Sequence, residues 1–539
     1  MLNGTHAERD GGRFDYIIVG AGSAGCVLAY RLSADPRNRV LLVEAGGRDS
    51  DPLIPMPVGI AKTLANPELC WYYPIEPEPG NANEPRLFMR GKVLGGSSSV
   101  NGMVYCRGQP EDYDGWEAAG CTGWGWATMA KSFRAIEDHE LGDDGERGVG
   151  GPLHVSIRKD RLPMFEAILE AANDLGTPRK DDVNRPEQEG IGYSPVTIRN
   201  GRRVSAADAF LKPVMRRSNL TVMTGLEVER IAFDGNAAVG IVGRDKHGPV
   251  RILAERETII SAGTLQSPKL LMLSGVGPAE HLREHNIPVV RDLPGVGRNL
   301  REHKTLTSQY SLNGEWSINR EMQGWRLYAN MLRYLALHNG PMASTYNINA
   351  FIKTRPELTQ PDGQLLIWNL TVDKTASETI VPEQHPGLLA MVYPLRTESE
   401  GHLRLRSSNP ADLPEIRTNF LATEHDRSTM LGMARYQRRL FAHPLLKPFI
   451  KEETYPGNWA QEDEQILDAA RRDQTCQHAI GTCRMGTDDL AVLDSDCRVR
   501  GLDGLRVIDL SSMPTQISGN TNGPAMAFAW AAADRILGT

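Results

Sequence analysis

The run Tyr16-Ile17-Ile18-Val19 is uniformly apolar and closed by Gly20, a pattern that predicts a strand buried on both faces. A glycine turn follows, then Ala24 to Leu32 with good helix formers, then a second apolar run, Arg39 to Val43, ending at Glu44. Together these predict a βαβ unit. Leu53 to Arg90 is rich in Pro and Asn and has little periodicity, so it predicts a long extended excursion. Between Leu220 and Leu253, Thr221-Val222, Val228 to Phe233, Val239 to Val242 and Val250 to Leu253 are split by Asp234-Gly235-Asn236 and His247-Gly248. That spacing predicts an antiparallel meander. Glu257 to Ile260 and the helix Thr264 to Leu273 return the chain to the α/β layer, as do the strand Leu505 to Asp509 and the helix Pro524 to Leu537.

Gly314 to Gln474 has a different texture, with strands at Gln364 to Leu370 and His402 to Leu405 and helices at Arg326 to Leu337 and Thr429 to Ala442. The expected fold class is therefore mixed α/β. A Rossmann-like dinucleotide-binding domain is assigned to residues 12–155, 200–310 and 470–539, and a discontinuous antiparallel-sheet substrate domain to 156–199 and 311–469.

With 539 residues, 40% hydrophobic and 24% charged, the chain is neither disordered nor fibrous. Sixty basic against 67 acidic side chains leave a net charge of −7, which argues against a nucleic-acid partner. Seven cysteines without a CxxC pair fit reduced thiols. Met1 to Asp15 is polar where an export signal needs an apolar stretch, and no apolar run approaches the roughly 18 to 20 residues of a spanning helix. The expectation is a cytoplasmic protein without a transmembrane segment, peripheral to the inner membrane if a quinone is its acceptor.

Gly20-x-Gly22-x-x-Gly25 follows a strand, opens a helix and precedes an acid, Glu44, by 19 residues. In that context Gly20 permits the turn, Gly22 the approach of a pyrophosphate and Gly25 close helix packing, while Glu44 accepts from a ribose hydroxyl. The motif alone does not separate NAD from FAD. Gly91 to Gly102 is a dense run of small residues whose amides and hydroxyls suit close contact with a polar ring system. Cys476, His478 and Cys483 lack a credible fourth ligand and zinc spacing, so no metal is expected.

Five separated blocks, in order, resemble the glucose-methanol-choline oxidoreductases, flavoproteins that oxidise alcohols with FAD. They are Gly20 to Gly25 with Glu44; Gly91 to Asn101; Gly263 to Pro268 through Ser274-Gly275-Val276-Gly277; Pro294 to Leu300, followed by Glu302-His303 where Asp-His is more usual; and His478 to Gly486 with Met513-Pro514-Thr515 to Asn522. The resemblance covers essentially the whole chain and is nearest in flavour to bacterial choline-dehydrogenase-like and alcohol oxidoreductases.

It implies that His478 is the base and that Asn520 orients the substrate oxygen, both near flavin N5. The implied cofactor residues are Gly20, Gly22, Ser23, Ala24, Gly25, Glu44 and Ala45; Arg90, Gly95, Gly96, Ser97, Asn101, Gly102, Met103 and Val104; Val228 at the adenine; and Asp509, Asn520, Thr521 and Asn522. The last helix, opening at Asn522-Gly523-Pro524, would face the flavin N1 and O2 atoms with its positive end. Val100 stands where some relatives attach flavin through histidine, so FAD is expected to be non-covalent. Trp71, Gln477 and Asn347 are placed at the substrate pocket, Asn347 where choline-type relatives carry glutamate. The implied reaction is oxidation of a primary alcohol, neutral and benzylic or aliphatic, to an aldehyde, by proton loss to His478 and hydride transfer to flavin N5. Oxygen, a quinone or a carrier would reoxidise the flavin. Alternatives are a hydroxynitrile-lyase-like protein without net redox and a colourless nicotinamide-binding or non-catalytic binding protein.

Overall fold

The computed structural model describes residues 8–374 and 381–538; Met1 to Ala7 of the polar lead lie outside them. A seven-stranded sheet carries the N-terminal unit. Its order is Leu220–Thr224, Val40–Glu44, Arg9–Val19, Gly248–Ile260, Ala237–Asp245 and Glu227–Asp234, with Leu505–Val507 also paired to Gly248–Ile260. Ile17 and Ile18 are fully buried between neighbours of the same kind, as an uninterrupted apolar run requires.

Two sequence expectations are corrected here. Thr221-Val222 does not join the meander: Leu220–Thr224 pairs parallel to Val40–Glu44, beside the first strand. Val250 to Leu253 and Glu257 to Ile260 are one strand, Gly248–Ile260, which continues through exposed Glu255 and Arg256 with a local irregularity in its pairing with the first strand. Its first half pairs with the antiparallel ribbon and its second half with Leu505–Val507, so one strand joins both parts of the sheet.

The first helix, Ser23–Leu32, packs on this sheet beside the last helix, Asn522–Leu537. Ser23 Oγ donates to Asn522 Oδ1 at 2.7 Å, and Arg31 pairs with Asp534 at 2.6 Å. Gly25 allows the first helix to approach its own turn, since a Cβ there would lie 1.9 Å from the Gly20 carbonyl oxygen. The excursion after Leu53 is more ordered than its composition suggests: Cys70–Ile75 and Arg86–Gly91 form an antiparallel hairpin in which Trp71 opposes Arg90.

A six-stranded sheet forms the second layer, in the order Ile450–Tyr455, Leu306–Leu312, Gly387–Pro394, Gly363–Trp368, Ile348–Ile352 and Gly190–Tyr193. Leu306–Leu312 spans the expected boundary between residues 310 and 311 and lies whole within this sheet.

Candidate active site

A cavity of about 540 Å³ runs between the two sheets. At one end it meets the glycine turn, where Gly20, Gly22, Ser23, Ala24, Glu44 and Ala45 line it together with Val228 from the antiparallel ribbon. The first helix has no side-chain cap and no acid in its first turn, so its N–H groups and positive end face the cavity. A Cβ on Gly22 would project into open space, which leaves its backbone accessible. Glu44 is buried, which pushes its carboxyl up to about 7, and it accepts from Ala21 N and Gly46 N, both at 2.9 Å.

The second small-residue run crosses the first. Arg90, Gly96, Ser97, Asn101, Gly102, Met103 and Val104 line the cavity, and a Cβ on Gly96 would sit 2.7 Å from Gly22 Cα. Buried Arg203 holds this run by donating to the Asn101 side-chain and backbone oxygens, each at 2.7 Å. Gly25 and Gly95 do not line the cavity; they shape the turns behind it.

The last helix also begins at the wall without a side-chain cap or an early acid, with Asn520, Thr521 and Asn522 lining the cavity. Asp509 lines it too, its carboxylate occupied by Gly263 N, Ser267 Oγ, Ser511 N and Ser511 Oγ. Two uncapped helix N-termini and a buried acid along one cavity fit an anionic flavin dinucleotide.

At the other end of the cavity, hydrogen bonds determine the state of His478. His303 Nε2 lies 2.8 Å from the Leu395 carbonyl oxygen, which only accepts, so Nε2 carries a proton. Burial pushes His303 down to about 4, so the ring is neutral and its Nδ1 is a lone pair. His478 Nδ1 is 3.0 Å from that lone pair and must be the donor. His478 is held well below the ordinary imidazole range, first by burial, with the Arg90 charge acting in the same direction. Its Nε2 is therefore an unprotonated acceptor.

Asn520 Nδ2 lies 3.3 Å from His478 Nε2. The amide cannot be flipped, because Asn520 Oδ1 accepts from Gln364 Nε2 at 3.1 Å and Cys106 Sγ at 3.3 Å. Gln364 Oε1 in turn accepts from the Tyr393 hydroxyl at 2.6 Å, and the Tyr393 ring stacks on His303 at 5.0 Å. The chain of partners thus closes on itself. Glu302 accepts from His478 N at 2.8 Å; burial pushes its carboxyl up to about 7, against the pull of Arg90.

Strand register builds the remaining wall. Gln364 opposes Tyr393, Leu366 opposes Met391 and Trp368 opposes Leu389, so three cross-strand pairs share one face. Gln364 of the first pair bonds the Asn520 amide, and the other two pairs line the cavity with apolar side chains. Trp71, Tyr346 and Gln477 line it as well. Gln477 adopts φ +65°, and its side chain is tied to the hairpin through Met89 N and Leu87 O. Asn347 is corrected: it does not line the cavity, because its amide is spent on Asp160 Oδ2 and Asn369 N, leaving Thr345 and Tyr346 at the wall. His303, Cys106, Gln364 and Tyr393 were absent from the expected site. The Glu302-His303 pair was visible in the sequence, but nothing in its spacing linked it to His478, 175 residues away.

This fold and site define a flavin-dinucleotide enzyme with a neutral imidazole, His478, at the cavity wall. The GMC oxidoreductase family models match residues 14–305 and 397–529, and the chain belongs to that family. It is 39% identical over 536 residues to mouse (Mus musculus) mitochondrial choline dehydrogenase, covering 97% of this chain and 89% of that protein. The oxygen-dependent choline dehydrogenase of Brucella canis is 38% identical over 528 residues, covering 97% and 95%. Among solved structures, pyridoxine 4-oxidase from Mesorbium loti superimposes with a TM-score of 0.88 at 31% identity, covering 98% of this chain and 99% of that one. The R554K variant of Aspergillus oryzae formate oxidase gives 0.91 at 27%, with the same coverage. The chain is an FAD-dependent oxidoreductase acting on CH–OH groups.

Proposed function

We propose that the protein oxidises a neutral primary alcohol, benzylic or aliphatic, to its aldehyde, with His478 Nε2 taking the hydroxyl proton. The supporting observation is the unprotonated Nε2 at the wall of the cavity that fits the dinucleotide. Loss of the hydroxyl proton concentrates charge on the substrate oxygen and so weakens the adjacent C–H bond. Asn520 Nδ2, held by Gln364 and Cys106, donates to that oxygen and positions it. His478 Nδ1–H keeps its bond to His303 as the ring becomes cationic. FAD, when bound, supplies the two-electron acceptor for the hydrogen on the carbinol carbon. Val100 carries no atom able to bond FAD at that position, which supports a cofactor held by contacts.

The cavity wall supports a neutral substrate. Tyr346, Leu366, Trp368, Leu389 and Met391 are apolar or aromatic. Asp473, which also lines the cavity, is answered by Lys374 Nζ at 3.2 Å, Thr305 Oγ1 at 3.0 Å and Thr307 N at 2.6 Å. A quaternary ammonium would compete with that lysine, unlike the substrate named for the choline dehydrogenase relatives. The test is anaerobic mixing of the yellow enzyme with benzyl alcohol, hexanol, pyridoxine and choline. Benzyl alcohol or hexanol should bleach the flavin fastest, and admitting air then measures reoxidation by oxygen. A flavin that no alcohol bleaches, in an enzyme that cleaves cyanohydrins, would replace this reading with the lyase.

A further inference from the structure

The helix Gly324–Leu337 carries large apolar side chains outside as well as inside. Its inner side carries Leu327 and Met331 and also buries two polar groups: Asn330 Nδ2 donates to the Glu321 carboxylate at 2.8 Å, and the Tyr334 hydroxyl donates to the Pro55 and Gly201 carbonyls. Its largest apolar side chains point outward, with Trp325, Tyr328, Leu332, Leu335 and Leu337 each 62 to 75% exposed. Single exposed leucines are ordinary, but four large apolar residues on one helix face, Trp325, Tyr328, Leu332 and Leu335, are not.

The charges around this face are mostly basic: Glu321 answers Arg326 at 3.4 Å, and Arg333 and Arg202 add to the positive side. Residues 324–340 contain Arg326, Arg333 and His338 and no acid, in a chain of net charge −7. Arg202 joins them, its Nη1 lying 3.2 Å from His338 Nε2. A second copy docked here about a two-fold axis would set arginine against arginine over the same apolar ridge. An anionic phospholipid surface instead answers both features: the arginines meet headgroups while Trp, Tyr and Leu enter the acyl boundary. Among the described residues no helix is long and apolar enough to cross a bilayer, so this helix would lie in the interface plane. Its inner face packs with Met56, Val58, Met342 and Ala343. The segments that follow these residues, at Ile60 and Leu64 and at Thr345 and Tyr346, line the active-site cavity.

We propose that the helix Gly324–Leu337 docks the enzyme on an anionic phospholipid bilayer, with the wall of its cavity next to the lipid. The test is flotation of the FAD-loaded, full-length enzyme with vesicles of phosphatidylcholine plus phosphatidylglycerol, and with phosphatidylcholine alone. The enzyme should float with the anionic vesicles and be released by raised salt. Arg333→Gln should weaken partition about fivefold. Leu332→Glu with Leu335→Glu should lower it by at least about tenfold, with flavin content and the rate toward a soluble alcohol unchanged. Failure of the parent to float, or flotation of the double variant to the same extent, would overturn the proposal. So would sedimentation velocity showing a dimeric parent and a monomeric double variant, which would make this face a self-interface.

Discussion

The tautomer of His478 rests on one neighbour, and replacing that neighbour has a calculable effect. In His303→Leu the His478 Nδ1–H loses its acceptor inside a dry site. An unsatisfied buried donor costs about 1 to 3 kcal/mol. His478 escapes the cost by moving its proton to Nε2, where the cavity offers partners, and the lone pair needed for the hydroxyl proton disappears. The reactive tautomer should then fall about 5- to 150-fold, since each 1.4 kcal/mol is tenfold. In His303→Asn, Oδ1 takes the place of the ring Nδ1 and can still accept, so most of the rate should return. The assay is anaerobic stopped-flow bleaching of the flavin at saturating alcohol, after flavin content and melting temperature are matched to the parent. A leucine variant as fast as the parent would refute the tautomer reasoning. If asparagine were as slow as leucine, stacking on Tyr393 rather than the hydrogen bond would be what matters.

His478→Ala should keep its yellow FAD and lose about 10² to 10⁴ in bleaching rate, the usual contribution of a general base; an unchanged rate removes His478 from its role. Because burial holds His478 well below 6.5, it remains an unprotonated base as the pH falls through that value. The bleaching rate should therefore stay level through pH 6.5 and decline only below it, and a half-maximal rate at 6.5 would contradict the buried neutral pair. Gly96→Ala forces a Cβ to within 2.7 Å of Gly22 Cα at φ +53°, so the protein should purify largely colourless; full flavin content measured by absorbance would show that the crossing tolerates a methyl group. Lys374→Met releases Asp473 and should lower KM for choline about fivefold, the upper range for a partly exposed ion pair, while benzyl alcohol is unaffected.

Short-range features were legible in the sequence because their geometry is set by the residues themselves. Gly20, Gly22 and Gly25 with Glu44 define a turn, a helix start and a strand end within one βαβ unit, and each appears where the spacing put it. The apolar runs located the core of the first sheet and one strand of the second, whereas His402–Arg404 pairs apart with Glu415–Arg417. The pairing of Leu220–Thr224 with Val40–Glu44 was not legible, since a lone β-rich run carries no record of which edge it joins.

The tertiary structure decided the chemistry around His478. Only folding brings His303, Cys106, Gln364 and Tyr393 to the same point, and only their hydrogen bonds settle which ring nitrogen keeps its proton. Spacing placed Asn347 near the substrate, but a side chain's direction depends on the partners it finds, and Asp160 and Asn369 turned it away. Likewise the periodicity of Arg326 to Leu337 predicted a helix without revealing its buried face. Hydrophobic pattern alone would have turned Trp325 and Leu332 inward, whereas the packing buries Asn330 and Tyr334, whose polar atoms find partners there. Sequence carries what neighbours along the chain impose, and pairing between distant segments is settled only when the core closes.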